Sequence, residues 1–244
     1  MKAQSAKSDA PEALLRRLRS ALKEIADPAR APAMQAYMKS EMPYHGVSAP
    51  VLRKVFREQF AGIRFNDAES WHSTVLHIWR HARFREERYC AIGLCQYRHA
   101  RPFQTPPTLP LYEELIVTGA WWDYVDTLAS NNVGSLLLSD REKLTPVMRE
   151  WSQSDDMWKR RTSIICQLKF KKQTDLRLLY DCIEPSIESK EFFLQKAIGW
   201  ALRQYAWTDA KEIQRYVRQN QDRLSPLSKR EALKNVGSDK SQIH

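Results

Sequence analysis

Two tryptophans and two carboxylates stand together in Gly119-Ala120-Trp121-Trp122-Asp123-Tyr124-Val125-Asp126-Thr127-Leu128. Trp122 and Asp126 are four residues apart, so a helix places them on one face. An aromatic surface beside an anion suits a flat, cationic substrate. Trp121 and Asp123 fit equally well as a core tryptophan and a solvated carboxylate. The following Ser130, Asn131 and Asn132 are small and polar, and leave room for a backbone or ligand to come close.

A second cluster, Trp158-Lys159-Arg160-Arg161-Thr162, follows Asp155-Asp156. The acidic pair suits a helix start, where carboxylates meet the positive end of the helix dipole. Arg161 is expected to face phosphate if this helix lies beside the first; a solvated basic turn is the alternative. A third segment runs from Phe192 to Arg203. Lys196, Trp200 and Arg203 share a helical face there, and Gly199 permits close packing by a neighbour. Cations interleaved with aromatics form a surface suited to nucleic acid, or else a core tryptophan with Lys and Arg stems lying along its edges.

Weaker signals carry less. His77 and His81 are four apart, but Ile78 stands where a zinc-protease motif needs glutamate, so a helix-stabilising or surface role is expected and no metal. Arg80, Arg83, Arg85 and Arg88 could touch a polyanion, with Glu86 and Glu87 partly neutralising them. There is no glycine-rich phosphate loop and no nucleophile paired with histidine, and no cofactor is expected.

Charge points the same way. The 39 Lys and Arg residues against 29 Asp and Glu give a formal charge of +10 and a pI near 9.5. That balance is typical of nucleic-acid binders, although an anionic membrane surface or an acidic protein could also be met by it. An anionic partner and a flat cationic substrate are both supplied by one chemical species, an alkylated base in DNA. The N-terminus has no apolar signal core and no run is long enough to span a bilayer, so a cytoplasmic protein without membrane contact is expected. Cys90, Cys95, Cys166 and Cys182 match neither a zinc site nor a disulfide framework, and are read as reduced structural thiols.

The elements that must position these residues read as helices. Apolar residues recur at helical spacing, as in Leu14, Leu15, Leu18 and Leu22, or Trp71, Val75, Ile78 and Trp79, or Phe193, Ile198, Leu202 and Tyr205. Breaks follow at short intervals, with Pro50 in a first turn, Ser225 capping before Pro226, and Thr208 as a further candidate cap. This predicts an all-α chain of about a dozen short helices, stacked as antiparallel pairs in an α-solenoid; a compact irregular helical domain is the alternative. One domain is expected over residues 11–236, between flexible ends at 1–10 and 237–244. The proline-rich stretch Arg101–Pro110 is the best internal linker, able to separate two lobes of one array.

Taken in order, these segments resemble the AlkD-like family of DNA alkylation repair enzymes. The resemblance extends over most of the chain. It rests on Tyr37-Met38-Lys39-Ser40, on Trp121-Trp122-Asp123 with Val125-Asp126, on Trp158 with Arg160-Arg161, and on Phe192-Phe193 through Lys196-Ala197-Ile198-Gly199-Trp200 to Leu202-Arg203. Several family members carry an aromatic-Leu-Gly-Ile turn where this chain has Tyr44-His45-Gly46-Val47. The resemblance implies a HEAT-like array forming one curved solenoid, and a monomeric glycosylase that excises cationic N3- or N7-alkylated purines from double-stranded DNA in base excision repair, nucleoid-associated when bound. It implies that Asp126 is the catalytic carboxylate, that Trp122 and Trp200 wall the lesion nucleotide, and that Arg161 grips the backbone nearby. It also implies that the lesion need not be flipped. Lys196 and Arg203 are expected on the DNA. A non-catalytic HEAT-like nucleic-acid-binding module is the alternative, and Asp126 separates the two, because a carboxylate in a basic groove repels phosphate. A helical-repeat protein scaffold is a third reading, and calls for apolar patches where the others need basic ones.

Overall fold

Helix starts in this chain are set by short polar side chains that reach the first free backbone N–H groups. Asp67 accepts from Ser70 N at 2.7 Å, Asp140 from Lys143 N at 3.1 Å, Asp156 from Trp158 N and Lys159 N, Asp175 from Leu178 N, Asp209 from Glu212 N, and Ser225 from Ser228 N at 3.0 Å. The caps expected at Ser225 and in the Asp155-Asp156 pair are therefore present. The cap expected at Thr208 falls to its neighbour, since the Asp209 carboxylate is the group in reach of the third N–H.

The computed structural model describes residues 3–234 and 236, with side chains from Ala10 onward; the expected flexible C-terminal end, 237–244, lies outside the described residues. Among the described residues all regular structure is helical, with no strand. The stretch read as a flexible N-terminus enters a helix at Ala3. Chain contacts separate two units, 1–104 and 105–244, and the division lies within the proline-rich Arg101–Pro110 stretch. No helix of the described residues is long and apolar enough to cross a membrane.

The first unit contains α1 (Ala3–Glu24), α2 (Ala31–Met38), α3 (Ala49–Gln59), α4 (Ala68–Arg80) and α5 (Arg85–Cys95). The predicted faces form its core: Leu15, Leu18, Leu22, Trp71, Val75 and Ile78 have no exposed surface. His77 and His81 stack at 4.3 Å, and His77 meets Glu12 at 2.9 Å, which ties α4 to α1. The basic cluster is divided: Arg80 and Arg83 are exposed, while the rest of it is turned into the fold. Arg85, Glu86 and Glu87 are buried, and Arg88 lies 4.6 Å over Trp79. The Glu86 carboxylate accepts from the backbone N–H groups of His45, Gly46 and Val47 at 3.0–3.1 Å, so an internal anion holds the loop that departs from the family pattern.

The second unit contains α6 (Leu109–Gly119), α7 (Trp122–Thr127), α8 (Gly134–Ser139), α9 (Arg141–Ser152), α10 (Met157–Ile165), α11 (Leu176–Ile183), α12 (Phe192–Ala206), α13 (Ala210–Gln219) and α14 (Pro226–Leu233). Each helix packs on near neighbours in sequence: α8 on α9, α9 on α10 and α11, α10 on α12, α12 on α13 and α14. Contact mainly between elements close in sequence is the packing of a solenoid, and α10 also reaches back to α6 and α7. All four cysteines are buried, and none is joined in a disulfide.

Candidate functional site

Asp126 lies near the end of α7, and the helix does not stop there. Leu128 to Val133 widen into a π turn that runs on into α8. Around it, small hydroxyl and amide side chains bond back to the carbonyl four residues earlier. Thr127 Oγ1 donates to Asp123 O at 2.9 Å, Ser130 Oγ to Asp126 O at 2.8 Å, and Asn131 Nδ2 to Thr127 O at 2.8 Å. The polar run that follows Asp126 thus serves the backbone around it. At the far side of this turn a Cβ on Gly134 would stand 2.4 Å from Cys166 O, so the helix is pressed directly onto the end of α10.

That contact brings Arg161 of α10 to Asp126. Arg161 Nε donates to Asp126 Oδ1 at 2.7 Å and Nη2 donates to Oδ2 at 2.8 Å. Arg161 Nη1 donates to Phe193 O, at the start of α12. Three helices are therefore joined through one guanidinium. Arg161 is 4% exposed, and its partner carboxylate is 15% exposed. Arg161, expected to face phosphate, directs Nε, Nη1 and Nη2 to protein acceptors here, with Trp158, Arg161 and Ile165 on the buried face of α10.

Burial raises the Asp126 carboxyl above its ordinary value of 3.8, and Asp123 adds to the rise; the hydrogen bonds and charge of Arg161 pull it back but do not cancel it. An ionised carboxylate has about four acceptor positions. Arg161 takes one on each oxygen, so Asp126 keeps acceptor capacity for a water or a developing cation.

Aromatic side chains surround the pair. Trp121 lies 5.5 Å from Phe193 and 6.3 Å from Trp158, and Trp158 lies 5.1 Å from Phe193. Trp121 and Trp122 are both half-buried; Trp121 packs on other aromatics, while Trp122 lies one turn before Asp126 on α7. Trp200 is also half-buried, on α12 two turns beyond Phe193. Its companions are not open cations. Lys196 Nζ donates to Glu231 Oε1 at 3.1 Å, and Arg203 Nη1 to Glu231 Oε2 at 2.7 Å.

Sequence reasoning missed Glu231 and the Phe193 carbonyl. A backbone acceptor has no residue signature, and Glu231 reaches α12 only because α14 folds back on it. The inward turn of Arg161 did have a signal, the helical spacing of Trp158, Arg161 and Ile165.

Similarity to known proteins covers nearly all of this framework. The family model for DNA alkylation repair enzymes matches residues 18–236. A solved structure, a predicted DNA alkylation repair enzyme from Enterococcus faecalis, aligns with a TM-score of 0.73 at 26% identity, over 88% of this chain and 98% of that one. No curated protein matches the chain. The shared architecture is an all-α solenoid.

Proposed function

The chain belongs to the DNA alkylation repair enzyme family, and on that premise we propose that it is a DNA glycosylase excising cationic N3- or N7-alkylated purines from duplex DNA. The observation that carries this reading is the Asp126 carboxylate. It is mostly buried, held by both oxygens on Arg161, and shares a helical face with half-buried Trp122.

Alkylation at N3 or N7 gives the purine a positive charge. Breaking the bond from C1′ to the base sends its electron pair onto the base, which leaves neutral. The sugar then takes up the positive charge. A fixed carboxylate stabilises that charge and orients the water that adds to C1′, as in glycoside hydrolysis. The products are the free base, an abasic sugar and the proton released by the water. No acid is needed for the leaving group, which fits a site whose central group is an anion. Arg161 is a positioning residue here: its planar fork fixes both carboxylate oxygens without a solvent cage. Trp122 and Trp200 contact the sugar and adjacent backbone, with cation–π attraction of ~0.5–2 kcal/mol to a cationic group.

The test is incubation with duplex DNA containing 7-methylguanine or 3-methyladenine, scored for free base. Release above the enzyme-free rate is expected. Salt-sensitive duplex binding without release transfers the reading to a non-catalytic binding module.

A further inference from the structure

Lys196 and Arg203 flank Trp200 on α12, and each is bonded to a different oxygen of Glu231. The acid is the most enclosed of the three, with 14% of its side chain exposed against 39% for Lys196 and 24% for Arg203. Its backbone is fixed as well. A Cβ on Gly199 would stand 2.5 Å from Glu231 Cβ, so α14 is seated directly on α12. Ser228, one turn earlier on α14 and fully buried, donates to Gln195 O at 2.9 Å. The backbone of Glu231 is thereby held beside the cations, while both cations keep an exposed side. The carboxyl is held below its ordinary range, first by the Lys196 hydrogen bond and further by the charges of Lys196 and Arg203, so it is an anion at neutral pH.

We propose that Glu231 is an internal counter-anion that withholds Lys196 and Arg203 from the phosphodiester backbone, and so sets how tightly and how salt-sensitively the protein grips duplex DNA. The inference rests on the DNA-binding part of the proposed function. Its chemistry is direct. A carboxylate bridging two cations occupies the position a phosphate oxygen would take, and one whose backbone is seated on the same helix stays within reach of both. The cationic stripe is thereby a partly neutralised edge beside Trp200, which suits an enzyme that must move along undamaged DNA rather than stay on it.

The experiment measures affinity for an undamaged duplex across a salt series. For Glu231→Gln, which keeps the size and removes the charge, binding tightens severalfold and the slope of log affinity against log salt steepens by roughly 0.9 to 1.8, the share of one to two phosphates. An unchanged slope and affinity, or weaker binding, overturns the inference. Lys196→Gln with Glu231 intact guards against loss of folding in the first variant. It leaves the slope unchanged if the cation is withheld; flattening by a whole phosphate's share shows that Lys196 already grips DNA and overturns the inference. Wild-type protein with no salt-dependent duplex binding overturns the nucleic-acid reading itself, whereas binding with a slope indifferent to Glu231 overturns this inference alone.

Discussion

Arg161 holds Asp126 by both carboxylate oxygens, at 2.7 and 2.8 Å, while being itself 4% exposed. A charge pair so enclosed is costly to form, and removing either member strands the other in a poor solvent for it. The pair therefore couples stability to the proposed chemistry, and the two are separated by choosing which member is changed and how.

Asp126→Asn keeps the shape and removes the charge. Excision of 7-methylguanine under single-turnover conditions is expected to fall by ~10²–10³, the usual loss for one preorganised electrostatic group. Duplex binding is retained. Excision at the wild-type rate by this variant removes Asp126 from the mechanism.

The pH dependence has a definite sign. Since burial lifts the Asp126 carboxyl above 3.8, its protonation begins at higher pH than for a solvent-exposed aspartate. Excision, corrected for enzyme-free loss of base, should decline on the acid side with a midpoint above that value. Arg161 lowers the same carboxyl, so Arg161→Lys, which loses the planar fork, moves the acid limb to still higher pH. A limb that stays in place shows that Arg161 does not hold the titrating group. Arg161→Ala is expected to cost about 3–5 kcal/mol of stability in denaturant unfolding, as for one partner of a buried ion pair.

Much of this was readable from residue order. The all-α pattern follows from apolar residues at helical spacing, and those same residues form the cores of both units. The pairing of Trp122 with Asp126 on one face follows from a four-residue step. What local pattern does not carry is the partner of each charge. Arg161 meets Asp126 across 35 residues, and Glu231 meets Lys196 across another 35. Three adjacent cations invite a solvated or phosphate-facing reading, yet the middle of a helix sends one of them inward. The π turn after Asp126 is marked only by the small polar run around Ser130 and Asn131, whose side chains bond back to the carbonyls of Asp126 and Thr127.

Gly134 makes a prediction independent of charge. A methyl group at this position would meet the Cys166 carbonyl at 2.4 Å, and a backbone atom cannot turn aside. Gly134→Ala should force α8 off α10 and lower stability by ~1–3 kcal/mol, as overpacking does. Because the same contact brings Arg161 to Asp126, excision should fall further than the loss of folded protein accounts for. Thermal unfolding and active-site titration of the same sample measure both. Wild-type stability in this variant contradicts the close approach.

Trp122 and Trp200 should behave differently from the carboxylate. Neither Trp122 nor Trp200 supplies charge to the sugar cation; each supplies a face against which the nucleotide is held. Trp122→Ala and Trp200→Ala are therefore expected to slow excision by ~10-fold, within the ~0.5–2 kcal/mol of such contacts, without moving the acid limb set by Asp126. Trp121→Ala is a contrasting case. Trp121, itself half-buried, packs on Trp158 and Phe193, so its removal should appear as a loss of stability of ~0.5–3 kcal/mol. The comparison is decided by single-turnover rates at fixed folded concentration. If Trp122→Ala or Trp200→Ala matches Asp126→Asn in rate loss, or shifts the acid limb, the tryptophans act on the ionised carboxylate itself, and their assignment as walls of the site is wrong.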